Sequence, residues 1–199
     1  MLRTPSDSES RPKSSTLFNS ADADLIVQSS DNVHFHLHKN NLQYTTGGFP
    51  PADISHDEDL KETVRLTESS VTLELLFQFV YPRQFPPLRG LDLDSLLLLA
   101  EAAEKYQVFA ACITCVYQLR DFEQEHPKRI LEFAAKHDYR ELIEDVQPIL
   151  ADTPLKELAD ILPDRVYKNW YRASPLVSQS FFKEEHLKKI ARNTFSYKF

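Results

Sequence analysis

Three histidines at alternate positions are the first residues of this chain that could do chemistry. His34, His36 and His38 stand at i, i+2 and i+4 in VHFHLHK. A strand places such residues on one side, so the imidazoles could converge on zinc, with a cysteine or carboxylate completing a tetrahedron. A metal-dependent enzyme built on this strip is one reading. The other is the polar face of a half-buried strand whose apolar face is Val33, Phe35 and Leu37. The alternation alone satisfies the second reading, whereas a metal needs a fourth ligand and an ordered outer shell. Cys112 and Cys115 form Cys-x-x-Cys, a spacing used in redox and zinc sites. They lie among Ala110, Ala111, Ile113 and Val116. No strand and turn of a redox fold precede them, so a buried helical thiol pair is expected.

Other chemistry is excluded by what the chain lacks. Its three glycines are Gly47, Gly48 and Gly90, and a phosphate-cradling loop needs several at fixed spacing so that the backbone can approach the anion. Gly-x-Ser-x-Gly and His-Glu-x-x-His are absent. The net charge of −7 disfavours nucleic acid and anionic membranes as partners. The longest apolar run, residues 96–100, is too short to span a bilayer. The N-terminus has no apolar signal region, and two cysteines suit a reducing compartment. The expectation is therefore an intracellular protein, cytoplasmic or nuclear.

The elements that would position these residues centre on residues 21–49. Leu25, Ile26 and Val27 make a short apolar strand, Ser29-Ser30-Asp31-Asn32 a turn, and residues 33–37 a second strand. Asn40 or Asn41 can cap a short helix carrying Leu42, and Gly47-Gly48 would end it through positive φ. Residues 1–20, rich in serine, read as a disordered leader. Val64-Arg65-Leu66 is a third strand. Ser69 caps a helix reaching about Tyr81, with Leu73, Leu76, Phe77 and Val80 at intervals of three and four. Asp94 can cap the next helix, which Leu98 makes apolar nearly all round at its start, as a central core helix would be. A further helix spans about 108–119. Beyond it the pattern is helical: Pro127 opens one helix, Leu142, Ile143, Val146 and Ile149 mark another, and Thr153 with Pro154 begins a third. Val166 and Trp170 mark a fourth, where Trp170 and Tyr171 could hold the helix down or anchor a partner. Residues 181–199 form a basic tail.

Four segments, in order, carry a family resemblance. Asp24-Leu25-Ile26-Val27 is similar to the first strand of the BTB/POZ domain with its leading aspartate. Phe35-His36-Leu37-His38-Lys39, followed by Leu42, resembles the Phe-x-Ala-His-Lys signature of that family, with Leu37 at the small position. Ser69, Leu73, Leu76, Phe77 and Tyr81 resemble its following helix. Leu99, Ala103, Lys105, Tyr106, Val108, Cys115 and Leu119 resemble its closing helical hairpin. Two positions after Tyr81, where the family often has glycine, stands Arg83, followed by a proline-rich insertion. More particularly, the chain resembles the stand-alone BTB proteins of fungi.

The resemblance implies an α+β BTB/POZ fold over residues 21–120, a small sheet with a hairpin flanked by helices. An all-α extension over 121–180 would follow. It also implies a non-catalytic protein-interaction module, not an enzyme and without a cofactor, that pairs with itself or with another BTB protein and scaffolds a partner. Asp24 and Lys39 would line a charged pocket near the dimer seam; the alternative is that each caps a helix or faces water. A second implied role is substrate adaptor for a cullin-type ubiquitin ligase, with Leu60 and Glu62, in Leu60-Lys61-Glu62, as the possible cullin contact.

Overall fold

The computed structural model of the protein describes residues 13–49, 63–164, 166, 167 and 170. The fold is α+β, and the chain divides into two compact units, the first ending at Leu119 and the second beginning at Arg120.

In the first unit, four strands form one open sheet: β1 (Lys13–Asn19), β2 (Leu25–Gln28), β3 (Val33–Leu37) and β4 (Thr63–Arg65), in the order β1-β3-β2-β4. The expected hairpin is present. β2 and β3 pair antiparallel with Val27 opposite Phe35, and Asn32 takes the left-handed conformation (φ 63°) that closes the turn. Val27, Phe35 and Leu37 are fully buried. The two outer strands add in parallel.

Strand β1 corrects the expectation of a leader running to residue 20. Only Ser15 and Phe18 of this strand are buried. That spacing of three reflects an irregular register between Ser14 and Asn19, so the alternation that marks a strand is missing from the sequence. The Ser15 hydroxyl accepts from the backbone N–H groups of Leu17 and Phe18. Phe18 enters an aromatic cluster, its ring 5.9 Å from Phe77, 6.2 Å from Phe35 and 5.4 Å from Tyr81. That non-local burial outweighs a local composition that favours disorder.

The helices of the first unit are α1 (Lys39–Thr45), α2 (Ser70–Gln78), α3 (Leu93–Tyr106) and α4 (Phe109–Leu119). Ser69 caps α2 through the Thr72 N–H, as its type and place predict. Asp31 of the hairpin turn adds to this cap, accepting from the Ser70 N–H at 2.7 Å and hydroxyl at 2.6 Å. The cap of α3 is Asp92 rather than Asp94; its carboxylate accepts from the Ser95 N–H and hydroxyl, and Asp94 sits in the first turn. Leu96, Leu99, Ala100, Ala103 and Tyr106 face the core, but Leu98 is 60% exposed, so α3 has a solvent side.

Gly47 and Gly48 do not end α1 through positive φ; Gly90 is the glycine with that conformation among the described residues. Their smallness permits close approach instead. Their N–H groups donate to the carbonyls of Gln107 and Tyr106 at 3.1 Å. A Cβ on Gly48 would lie 3.0 Å from the Lys105 carbonyl oxygen. The segment after α1 is thereby tied to the end of α3.

The second unit contains a 3-10 turn (Arg120–Phe122), α5 (Pro127–His137), α6 (Arg140–Val146) and α7 (Leu155–Ile161). Pro127 opens α5 as expected. At α7, Pro154 is itself the N-cap and Thr153 makes no cap. Ile130, Leu131, Phe133, Leu142, Val146 and Leu158 are buried, and so is Trp170. Among the described residues no helix is long and apolar enough to cross a membrane.

Candidate functional site

Asp24 leads directly into β2, and Lys39 is the first residue of α1. The structure brings the two together through the backbone. The Lys39 N–H donates to the Asp24 carboxylate at 2.8 Å. No side chain of the local segment caps α1, so Asp24 supplies that cap from across the hairpin, and neither Asn40 nor Asn41 does. A carboxylate is well suited to the role, because the first N–H groups of a helix have no partner within it. Asp24 remains exposed and Lys39 half-buried. The carboxylate thus has a use inside one copy of the chain.

His34 and His36 lie on the face of β3 opposite the buried Phe35 and Leu37. His38 stands beyond the strand. Its Nδ1 is 3.0 Å from the Tyr81 hydroxyl, which also accepts from the His38 N–H at 3.1 Å. Its Nε2 is 3.4 Å from an Asp22 carboxylate oxygen. The imidazole is held by a tyrosine and an aspartate from separate elements. Among the described residues no group of three His, Cys, Asp or Glu side chains is arranged to hold a metal ion.

Cys112 and Cys115 are free and buried within α4. Burial, with Glu104 nearby, pushes both thiols up to about 12. Thiolates are the reactive form, so these groups are inert at neutral pH. Leu60 and Glu62 lie outside the described residues.

A feature the sequence did not announce lies beside α1 and Tyr81. Between α1, the segment after α2 and the first turn of α4 opens a cleft of about 850 Å³. Tyr44, Phe79, Tyr81, Phe85 and Phe109 contribute its aromatic walls. Phe79 and Phe85 pack with ring centroids 5.0 Å apart. The Arg83 guanidinium stands 5.3 Å from the Phe18 ring centroid and 5.4 Å from that of Tyr81. A cation beside two rings ties the segment after α2 to the core.

The apolar surface continues from the cleft along α4. Phe109, Ile113 and Tyr117, spaced four apart, are 59%, 60% and 68% exposed. Residues four apart share one helix face, and the opposite face carries the buried Ala111, Cys112, Cys115 and Leu119. Tyr44 and Phe85 beside the cleft are also exposed. The whole of α4, FAACITCVYQL, contains no charged residue. Periodicity could have revealed this second stripe, since α4 has apolar residues on both faces. The cleft could not be read, because its walls come from three segments distant in the chain.

No protein-family model matches the sequence, and no curated protein matches it significantly.

Proposed function

We propose that the first unit is a non-catalytic interaction module of BTB/POZ type that pairs with itself and thereby scaffolds a second protein. The observation that carries this reading is the continuous exposed aromatic and aliphatic surface of Tyr44, Phe85, Phe109, Ile113 and Tyr117, joined to an uncharged helix. Buried cores of protein interfaces are rich in tyrosine and phenylalanine and poor in charge. An exposed apolar surface of this kind marks a place where another surface binds. The BTB/POZ assignment draws support from the element order after β1: the antiparallel β2 and β3, α1, β4 parallel to β2, α2, and the paired α3 and α4. It also draws on the Phe35-to-Lys39 stretch, whose Phe35 and Leu37 are core and whose His38 is bonded to Tyr81.

Light scattering on the full chain across a dilution series tests the proposal. A mass of twice 23.1 kDa that persists on dilution is the expected result. A single-chain mass at every concentration would overturn self-association.

A further inference from the structure

We infer that the seam of this self-association is α4 itself, with two copies crossing antiparallel about a two-fold axis at Ile113. The inference rests on the proposal that the chain pairs with itself, and it names the face.

Three observations converge on a second copy as the occupant. The exposed stripe is palindromic, aromatic, aliphatic, aromatic: Phe109, Ile113, Tyr117. In a two-fold interface each patch must complement itself, residue i meeting j and j meeting i. An axis at Ile113 sets Ile113 against its own copy and each Tyr117 against Phe109 of the other. Residues spaced four apart form the ridge that packs into the matching groove of a like helix, at a crossing angle of about 50°.

The same helix also carries both a hole and a projection. Its N-terminal end, at Phe109 and Ala110, forms a wall of the cleft, and Tyr117, 68% exposed, stands two turns further on. The eight-residue step from Phe109 to Tyr117 spans ~12 Å of helix. The antiparallel crossing directs each Tyr117 toward the aromatic mouth formed by Tyr44, Phe85 and Phe109 of the other copy.

Area and charge fit as well. At their exposures, Tyr44, Phe85, Phe109 and Tyr117 together with Ile113 offer on the order of 600 Å² of exposed surface per copy, backbone and hydroxyls included. Covering it on both copies removes roughly 1,200 Å², the lower bound of specific, stable interfaces. The chain carries a net charge of −7, so most pairings of like surfaces bring repulsion. A helix without charged residues avoids it.

The test uses the full chain and two substitutions at the axis. Ile113→Glu places two carboxylates against each other, and the dimer should weaken by ~100-fold or more. Ile113→Cys sets two thiols at the axis and should cross-link the pair on mild oxidation, whereas Val71→Cys, exposed on α2, should not. Because Ile113 is itself exposed, circular dichroism melting should show Ile113→Glu folded. Should it fail to fold, Tyr117→Lys carries the same test one turn along. A dimeric wild type with a single-chain Ile113→Glu and a cross-linked Ile113→Cys supports the inference. A dimer that survives Ile113→Glu, or that does not cross-link through Ile113→Cys, overturns the α4 seam and leaves self-association standing. A wild type that is single-chain throughout overturns both.

Discussion

The Tyr106 hydroxyl donates to the Glu68 carboxylate at 2.7 Å, joining the last residue of α3 to the connection between β4 and α2. The other oxygen of that carboxylate takes the Lys105 ammonium at 2.7 Å. Burial alone would raise the Glu68 carboxyl, but the hydrogen bonds from Lys105 and Tyr106 outweigh it and hold the group below its ordinary range. Burial, and then the bond to Glu68, push the Tyr106 phenol up to about 12. These bonds lock the end of α3 to the connection between β4 and α2.

This lock sets a pH dependence. A carboxyl with a lowered folded pKa adds stability that is present above its ordinary value and is lost as pH falls through the folded one. The wild type should therefore lose stability below pH 4.5, the ordinary Glu68 value. The Tyr106 contribution has the opposite sign: it is complete below pH 10 and lost as pH rises toward about 12. Tyr106→Phe should cost about 1 kcal/mol at neutral pH and flatten the acid limb. Urea melts from pH 3 to 7 check this; an unchanged acid limb would refute the assignment to Glu68 and Tyr106.

Asp24 and Lys39 meet through a backbone N–H, so their side chains should differ sharply in effect. Asp24→Ala should cost about 1 kcal/mol, the usual range for losing a helix cap. Asp24→Asn keeps an acceptor oxygen and should cost less. Lys39→Ala leaves the contact intact and should be near neutral. Equal losses for Lys39→Ala and Asp24→Ala in thermal melts would mean that the ammonium matters and that the cap does not.

The glycines should rank by what a methyl group would meet. Gly48→Ala places Cβ 3.0 Å from the Lys105 backbone oxygen, which cannot swing away, and should cost ~1–3 kcal/mol. Gly47→Ala meets the Gln107 side-chain tip first, which can rotate aside, so the loss should be smaller. Gly90→Ala has open space but φ of +97°, a backbone conformation costing ~1 kcal/mol or more. Chemical denaturation of the three variants gives the order directly.

Cys112 and Cys115, with thiols near 12, should resist a thiol-labelling reagent at pH 8 in the native protein and react at once in urea. Labelling at a free-cysteine rate in the folded state would show α4 opening far more readily than its buried face implies.

Phe18→Ala measures what β1 contributes. Phe18 is 2% exposed and meets three rings, so the loss should be ~3–5 kcal/mol. A change below 1 kcal/mol would place β1 outside the cooperative unit.

Some of this was written locally. The hairpin is legible because Leu25 to Val27, a turn cluster and an alternating Val33-Phe35-Leu37 specify strand, turn and strand within a dozen residues. The Ser69 cap and the Pro127 start are legible because a cap bonds to a group two or three residues away, and proline constrains its own backbone. The buried cysteines follow from their apolar helical neighbours.

What the tertiary structure decided depends on groups far apart in the chain. β1 joins the sheet because Phe18 reaches Phe35, Phe77 and Tyr81, which no local pattern of residues 13–19 encodes. Asp24 caps a helix fifteen residues on, and Gly47 and Gly48 are small because the end of α3 passes beside them. The family resemblance singled out Asp24 and Lys39 as a pair, but only the fold determined that the carboxylate meets the Lys39 backbone N–H. The exposed side of α4 belongs to the same class. Its apolar residues are plain in the sequence, but which of its two apolar stripes is core is settled by where α3 packs.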